Sequence, residues 1–234
     1  MLVDLHMHEK THSPDSFLAL TDMVSIAQGL GLNGICITDH DSMGLRAKAE
    51  AYAKRIGFPI FVGVEFFSLQ GDFIAFGIDK VPERRIDAQD FINYVKAQGG
   101  VCFAAHPFRQ NGRGAGRGLA KLRGLDAIEA FNGSTPLELN LEALKYCDQM
   151  GIQPVGVSDC HVPEKVGVYA THLPDDVTTL PGFIHSFQKG LCYPVGLIGG
   201  QYVNLIDAAA MFVPETCLNT VGTAWAPAHS SQSA

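Results

Sequence analysis

Two histidines near the start of the chain have a type and spacing that suit metal binding. They lie in the segment DLHMH at positions 4–8. Because successive side chains of a β-strand point to opposite faces, a strand formed by this segment projects His6 and His8 to the same side. Two neutral imidazoles on one face are suitable metal ligands. An isolated pair of this kind is more often fortuitous, so a metal site requires further ligands from the rest of the chain.

Further polar residues that can bind metals follow apolar segments along the chain. Asp39 and His40 end CITDH, Glu65 ends GVE, His106 lies in FAAHP, Asn132 ends EAFN, and Asp159 and His161 lie in VSDCH. Any one of them alone is more often a cap or a hydrogen-bonded polar residue. Their recurrence predicts that they meet, because the C-terminal ends of the strands of a parallel barrel lie on one face, where active sites are built.

The predicted ring contains imidazoles and carboxylates but no thiolates. Such ligands suit Zn²⁺, Mn²⁺ or iron, and the sequence does not choose among these metals. A catalytic zinc ion uses about three protein ligands, so this many candidates imply two or more ions. Metal ions about 3.5–4 Å apart together polarise a phosphoryl group and activate a water molecule.

The elements that must position these residues alternate between strands and helices. Near-continuous apolar runs, typical of parallel strands buried on both faces, occur at 34–40, 60–65, 100–106, 126–132 and 153–159, and 72–79 predicts an extra strand. Between several runs the apolar residues recur with the period of a helix. This alternation predicts a parallel sheet, either open or closed into a barrel. No glycine-rich nucleotide-binding motif follows a predicted strand, which disfavours the open sheet.

The motifs together resemble the polymerase and histidinol phosphatase (PHP) family of metal-dependent phosphoesterases. The matching segments occur in the family's order and are DLHMH, SPDS (13–16), ITDHD (37–41), GVE (63–65), AHP (105–107) and SDCH (158–161). The resemblance implies an α/β fold, a distorted (β/α)7 barrel of the TIM-like type, with the metal site at the C-terminal ends of the strands. It also implies a centre of two or three divalent ions of zinc, manganese or iron.

The resemblance further implies the ligands of each ion. Carried over by position, the first ion is held by His6, His8, Glu65 and Asp159, the second by Glu65 and His106, and the third by Asp15, His40 and His161. A water that bridges two ions, with its pKa lowered toward neutrality, attacks phosphorus in line as hydroxide. Asp159, His161 and Arg109 are the expected catalytic residues.

Two positions depart from the family pattern. Many relatives have a histidine where this chain has Asp72; a carboxylate can still bind a metal, so we expect Asp72 as a ligand of a second site that binds a different ion or binds its ion weakly. The loop HEKTHSPDS is longer than the common family form, so either His12 or Asp15 supplies its ligand. We favour Asp15, because SPDS matches one branch of the family, and expect His12 on the surface.

A glycine-rich loop with three arginines follows His106. Arg109, Arg113 and Arg117 lie in RQNGRGAGRG. Guanidinium groups bind phosphate oxygens through paired hydrogen bonds, and glycines let backbone N–H groups approach an anion. The loop therefore predicts a binding site for a substrate phosphate, to which Asn132 can contribute. For Arg113 and Arg117 the alternative is a solvated loop with incidental charge.

Composition restricts the class of protein. The 234 residues are 47% hydrophobic and 18% charged, with a formal net charge of −7, which argues against a general nucleic-acid or anionic-membrane surface. The sequence shows no membrane-spanning apolar run and no signal-peptide pattern, so we predict a cytoplasmic protein. Its six cysteines show no CxxC pair, which is typical of free thiols in a reducing compartment. We expect one domain over 1–224 and a tail over 225–234.

These expectations favour a hydrolase that acts on a small phosphomonoester, either a nucleotide or a phosphorylated metabolite. Two alternatives stay open. One is a 3′–5′ exonuclease-type phosphodiesterase, similar to PHP domains attached to polymerases, which the small amount of basic charge disfavours. The other is a metal-binding regulatory module without catalysis. The only feature that favours it is Asp72, which replaces the histidine of many relatives. The expected partner is a small phosphorylated substrate, with nucleic acid only as a substrate end and with no membrane.

Overall fold

The computed structural model describes residues 1–174 and 177–212 of the chain. Its strands are β1 (Leu2–Asp4), β2 (Gly34–Ile37), β3 (Ile60–Val62), β4 (Val64–Phe67), β5 (Asp72–Phe76), β6 (Val101–Ala104), β7 (Ala127–Asn132), β8 (Pro154–Val157), β9 (Tyr169–His172), β10 (Tyr193–Ile198) and β11 (Gln201–Asn204). Its α-helices are α1 (Leu20–Gly29), α2 (Arg46–Ile56), α3 (Ala88–Ala97), α4 (Leu137–Met150), α5 (Leu180–Gln188) and α6 (Leu205–Phe212). Short 3₁₀ helices span Gly116–Lys121 and Pro163–Lys165. The expected tail over 225–234 lies outside the described residues.

The strands form two mixed sheets. The first sheet has the order β11-β10-β9-β1-β2-β3, in which β1, β2 and β3 are parallel and β9 is antiparallel to β1. The second sheet has the order β4-β5-β6-β7-β8, in which β6, β7 and β8 are parallel and β5 is antiparallel to both of its neighbours. Each sheet therefore combines a parallel part with an antiparallel part.

The predicted distorted (β/α)7 barrel is wrong for the described part of the chain. A closed barrel has no sheet edges, whereas β3 and β11 are edges of the first sheet and β4 and β8 are edges of the second. Between the sheets, the described residues form only two isolated bridges, Met7 with Cys160 and His40 with Glu65. Apolar periodicity identifies strands but not the direction in which they run. The prediction therefore missed the antiparallel pairing of β5 and β9.

An apolar interior lies between the two sheets, and helices cover their outer faces. Phe61 of the first sheet and Phe76 of the second both contact the ring of Phe183 on α5, at centroid distances of 4.7 and 4.9 Å. Helices α1 and α2 pack on the outer face of the first sheet, and α3 and α4 pack on that of the second. None of the helices in the described ranges is long and apolar enough to cross a membrane.

This packing brings one end of the first sheet beside one end of the second. The segments that follow β1 and β8 are joined there by main-chain hydrogen bonds from Asp159 N–H to the His6 carbonyl (2.9 Å) and from His8 N–H to the Cys160 carbonyl (3.1 Å). The parallel strands of both sheets end on this side. Strand β5 begins there because it is antiparallel to β6, so its first residue, Asp72, reaches the same end.

Candidate metal centre

The two histidines after β1 lie on one side of the chain, and both are fully buried. Their Nε2 atoms are 2.9 Å apart. His6 Nδ1 lies 2.7 Å from Glu129 Oε1, and His8 Nδ1 lies 3.2 Å from Ser13 Oγ. The Ser13 hydroxyl donates to Asp39 Oδ1 at 2.9 Å, so Ser13 Oγ accepts the hydrogen bond from His8 Nδ1. Both imidazoles therefore donate from Nδ1, and both Nε2 lone pairs face the same space.

The surroundings of these lone pairs fit a divalent cation. Two lone pairs at this distance repel each other unless a proton or a cation lies between them. Asp159 Oδ1 lies 3.5 Å from His6 Nε2 and 3.3 Å from His8 Nε2. Glu65 lies 3.7 and 3.6 Å from the same two nitrogens, through Oε1 and Oε2. Two imidazoles and two carboxylates thus converge on one point, which is a donor set that suits zinc, manganese or iron.

A second group consists of Glu65, Asp72 and His106, all of which are buried. His106 Nε2 lies 2.9 Å from Glu65 Oε1 and 3.7 Å from Asp72 Oδ2. Within the described ranges, Asp72 Oδ1 and His106 Nδ1 have no hydrogen-bond partner. Because buried polar atoms without a partner are rare, the chain's own polar groups leave this group incompletely satisfied.

A third group is more exposed and contains His40 and His161. These two histidines form a candidate set with His8, and Asp15 Oδ2 lies 3.1 Å from His40 Nε2 and 3.3 Å from His161 Nε2. The side chains of His40 and His161 are 24% and 25% exposed, so this side of the centre opens to solvent. The structure therefore brings Asp15 to the group, whereas His12 lies against Ser42.

The charges of the buried groups are set by their mutual contacts. Burial lowers the pKa of His6, but the carboxylates of Asp159 and Glu129 outweigh it, so this pKa lies well above its usual range. Burial lowers the pKa of His8 to about 4. Burial raises the pKa of Glu65 and of Asp159, but the positive charge of His6 and hydrogen bonds from other histidines outweigh it and hold both pKa values well below their usual range. Both carboxylates are therefore ionised and able to bind a cation, and a cation that binds them takes the place of the proton on His6 Nε2, which frees this nitrogen as a ligand.

Two of the candidate ligands have a strained backbone. The φ angles are 27° at His106 and 50° at Asp159, in the left-handed region that residues other than glycine rarely adopt. Such conformations cost about 1–3 kcal/mol each and cluster at functional sites. Each of these residues lies two positions after the end of a strand, β6 or β8.

Glu129 in β7 is a functional residue that the sequence analysis did not identify. Its Oε1 accepts from His6 Nδ1 at 2.7 Å, and its Oε2 accepts from the His106 main-chain N–H at 2.8 Å and from Asn132 Nδ2 at 2.9 Å. It is 1% exposed. The signal for it was an acidic residue in the middle of a buried apolar run, DAIEAFN. Carboxylates that orient metal-binding imidazoles in this way are a regular part of metal sites.

Arg109 and Asn132 contact the centre through Asp159. Arg109 Nη2 donates to Asp159 Oδ2 at 2.5 Å and to Asn132 Oδ1 at 2.7 Å, and its Nε donates to Thr135 Oγ1 at 3.0 Å. Asn132 is fully buried and donates to Asp159 Oδ2 at 3.1 Å and to Glu129. The Asn132 side chain is thus used within the protein, where it holds Asp159 in place.

The other two loop arginines occupy different environments. Arg113 Nε donates to Asp72 Oδ2 at 2.5 Å, and Arg113 Nη2 lies 3.8 Å from Glu65 Oε2. Arg117 is exposed on the 3₁₀ helix Gly116–Lys121 and makes no hydrogen bond with the centre among the residues described here. The structure therefore brings Arg109 and Arg113, but not Arg117, to the candidate ligands.

Two family models match separate parts of the chain. The model of the PHP domain matches residues 4–108, and the PHP-associated model matches residues 138–192. An uncharacterized protein of Methanocaldococcus jannaschii is 26% identical over 141 residues, which cover 56% of this chain and 82% of that protein.

Two solved structures illustrate the similarity of the fold. One is a protein of Bifidobacterium adolescentis that is described as a metal-dependent phosphoesterase; the match has a TM-score of 0.62 and 18% identity, and covers 81% of this chain and 96% of that one. The other is a lesion-specific endonuclease of Pyrococcus furiosus, with a TM-score of 0.59 and 16% identity over 93% of this chain and 68% of that one. At these identities the likeness concerns the fold.

Proposed function

The chain belongs to the PHP family of metal-dependent phosphoesterases, and we propose that it hydrolyses a small phosphomonoester, either a nucleotide or a phosphorylated metabolite. The observation that carries this proposal is the convergence of three groups of histidines and carboxylates at one end of the two sheets. His8 belongs both to the first group and to the third group. Glu65 of the second group lies 3.6 Å from His8, so the three groups form one centre. Such a centre suits a phosphoryl group, which carries several oxygens that bind cations.

Divalent ions bound at this centre would polarise the phosphoryl group and lower the pKa of a water molecule. The proposed ligands are His6, His8, Asp15, His40, Glu65, Asp72, His106, Asp159 and His161. The remaining residues act on these ligands. Glu129 and Ser13 orient the imidazoles of His6 and His8, and Asn132 fixes the carboxylate of Asp159. The proposed centre binds two or three ions of zinc, manganese or iron.

Arg109 is the proposed contact for the substrate phosphate. Its Nε and Nη2 are used by Thr135, Asn132 and Asp159, whereas its Nη1 makes no hydrogen bond within the described ranges. The side chain is 18% exposed, so Nη1 can reach a phosphate oxygen beside Asp159. We propose Asp159, His161 and Arg109 as the catalytic residues. The role of Arg117 as a phosphate contact remains a prediction. The small phosphorylated partner and the cytoplasmic location also remain predictions.

Turnover of a chromogenic phosphomonoester by protein loaded with Mn²⁺ or Zn²⁺ tests this proposal. We expect hydrolysis by the wild type and its loss in His8→Ala and Asp159→Ala, because both side chains line the first group. His185→Ala is the matched control, since His185 is exposed on α5. A metal-loaded protein that is inert toward a broad panel of phosphomonoesters would contradict the proposal.

A second candidate function is the hydrolysis of phosphodiester bonds in nucleic acid. The observation that favours it is the similar fold of the Pyrococcus furiosus endonuclease, which matches 93% of this chain. The net charge of −7 disfavours it, because nucleic-acid binding draws on positive charge. Incubation of the metal-loaded protein with an end-labelled single-stranded oligonucleotide distinguishes the two functions, since shortening of the strand is expected only for the second. Retained metal without turnover of either substrate would instead favour a regulatory metal-binding module.

A further inference from the structure

One arginine of the glycine-rich loop lies among the candidate ligands. Arg113 Nε donates to Asp72 Oδ2 at 2.5 Å, and Arg113 Nη2 lies 3.8 Å from Glu65 Oε2. The guanidinium carbon also lies 4.5 Å from the ring centroid of Phe67. A guanidinium group is always charged in proteins. Arg113 therefore places a permanent positive charge beside two of the three members of the group formed by Glu65, Asp72 and His106.

Arg113 binds the Asp72 oxygen that is nearer to His106. His106 Nε2 lies 3.7 Å from Asp72 Oδ2, the oxygen to which Arg113 donates. Arg109 differs in this respect. It donates to Asp159 Oδ2, whereas Asp159 Oδ1 faces the Nε2 atoms of the histidine pair at 3.3 and 3.5 Å. Arg109 thus leaves free the Asp159 oxygen that faces the candidate ligands, whereas Arg113 occupies the Asp72 oxygen that is nearer to His106 and leaves only Asp72 Oδ1 without a partner in the described ranges.

The main chain also holds Arg113 in this position. Asp72 N–H donates to the Arg113 carbonyl at 2.8 Å, and Arg113 N–H donates to Asn111 Oδ1 at 3.1 Å. Gly71 has a φ of 143°, and a Cβ atom added to it would lie 2.7 Å from the Arg113 carbonyl oxygen. Only glycine permits this close approach of the loop to β5. The charge of Arg113 is therefore built into the centre by backbone contacts as well as by its ion pair.

We propose that Arg113 is the resident cation of the group formed by Glu65, Asp72 and His106, and that it keeps a tightly bound divalent ion out of this group. A fixed positive charge repels an ion a few ångströms away, most strongly where water is excluded. The tightly bound ions then lie in the other two groups, around the histidine pair and around His40. Arg113 Nη2 also lies 3.4 Å from His40, but at Nδ1, whereas His40 faces Asp15 of its own group through Nε2. This inference rests on the metal centre of the proposed function and narrows it, because Asp72 and His106, two of the proposed ligands, then hold no tightly bound ion and the centre retains two.

Ion counting in the 234-residue chain tests the inference. Wild type, Arg113→Met, Arg113→Gln and Arg117→Met are loaded with Mn²⁺, freed of excess metal by gel filtration and analysed for manganese per chain. Methionine keeps the length of the side chain without its charge, and Arg117 is the matched control in the same loop. We expect both Arg113 variants to hold about one more Mn²⁺ than the wild type, because the repulsion is removed, and Arg117→Met to hold the wild-type number.

Equal manganese content in wild type and the Arg113 variants would overturn the inference, and so would an equal gain in Arg117→Met. If neither Arg113 variant folds, an anomalous difference map of Mn²⁺-loaded wild-type crystals decides the question. A strong peak at ligand distance from Asp72 Oδ2 would overturn the inference; peaks only at the other two groups would support it.

Phosphoester turnover is a separate readout. If the protein hydrolyses phosphoesters but the Arg113 variants hold as many ions as the wild type, only the inference is overturned. If the Arg113 variants gain an ion but neither they nor the wild type hydrolyse a phosphoester, only the proposed function is overturned.

Discussion

Replacement of Glu129 by glutamine should weaken metal binding although Glu129 is not a proposed ligand. Its two oxygens accept from His6 Nδ1, from the His106 N–H and from Asn132 Nδ2, at 2.7, 2.8 and 2.9 Å. Glutamine has one accepting oxygen and one donating amide group. If the amide group faces the His106 N–H and Asn132 Nδ2, donors face each other and no hydrogen bond forms. If it faces His6, the imidazole must move its proton to Nε2, which then cannot bind a metal.

The magnitude follows from these contacts. A hydrogen bond to a charged group is worth about 1.5–3 kcal/mol, and loss of a partner that orients a metal ligand lowers metal affinity about 10–100-fold. The two estimates agree, because a tenfold change in affinity corresponds to about 1.4 kcal/mol. We therefore expect the dissociation constant of the ion at the histidine pair to rise about 10–100-fold in Glu129→Gln.

Equilibrium dialysis with Mn²⁺ measures this dissociation constant directly. Glu50→Gln is the matched control, because Glu50 is exposed on α2 and its substitution removes the same charge far from any described contact with the centre. Thermal unfolding of both variants checks that they are folded. Equal Mn²⁺ affinity in Glu129→Gln and wild type would refute the role of Glu129 in orienting the imidazole of His6.

Three further predictions concern stability and reactivity. Removal of divalent ions by a chelator should lower the thermal unfolding midpoint, since ions that bind only the folded state stabilise it by about 2.7 kcal/mol at 100 times their dissociation constant; a midpoint that calorimetry finds unchanged would argue against tight binding. Phe91→Ala should lower the free energy of unfolding in urea by about 3–5 kcal/mol, because the buried Phe91 ring stacks on Phe66 at 4.2 Å, whereas the exposed Leu69→Ala should change it by less than about 0.5 kcal/mol. Burial raises the pKa of the Cys36 and Cys102 thiols well above the usual range, so Ellman's reagent should label them only after unfolding, and rapid labelling of the native protein would contradict their burial.

The histidine pair could be predicted because it depends only on local geometry. Alternation of side chains along a strand puts His6 and His8 on one side whatever the rest of the fold. The residues after β2, β6 and β8 could be placed with them for a related reason, since parallel strands in one sheet end at the same edge. The structure brings His40, His106 and Asp159 to the same end of the molecule, even though the strands belong to two sheets.

The two mixed sheets could not be predicted from the sequence, because strand direction is not a local property. A buried antiparallel strand such as β5 has the same continuous apolar pattern as a parallel one. Its direction depends on pairing with β4 and β6, which is a matter of tertiary structure. The same reversal explains why Asp72, at the start of a strand, lies among residues that follow strand ends.

Glu129, and the carboxylate partners of two loop arginines, were missed for a different reason. Glu129 contacts His6, which lies 123 positions away along the chain, and nothing in the sequence specifies such a partner. The arginines were expected to bind a substrate phosphate. In the structure Arg109 and Arg113 pair with Asp159 and Asp72, because buried carboxylates need a compensating charge.

The central claim is that His6, His8 and Asp159 hold a divalent cation. Diffraction from Mn²⁺-loaded crystals at the manganese absorption edge tests it most directly. We predict an anomalous peak about 2.0–2.3 Å from the Nε2 atoms of both histidines and from Asp159 Oδ1. Protein that binds Mn²⁺ in solution but shows no anomalous peak at this position would contradict the claim.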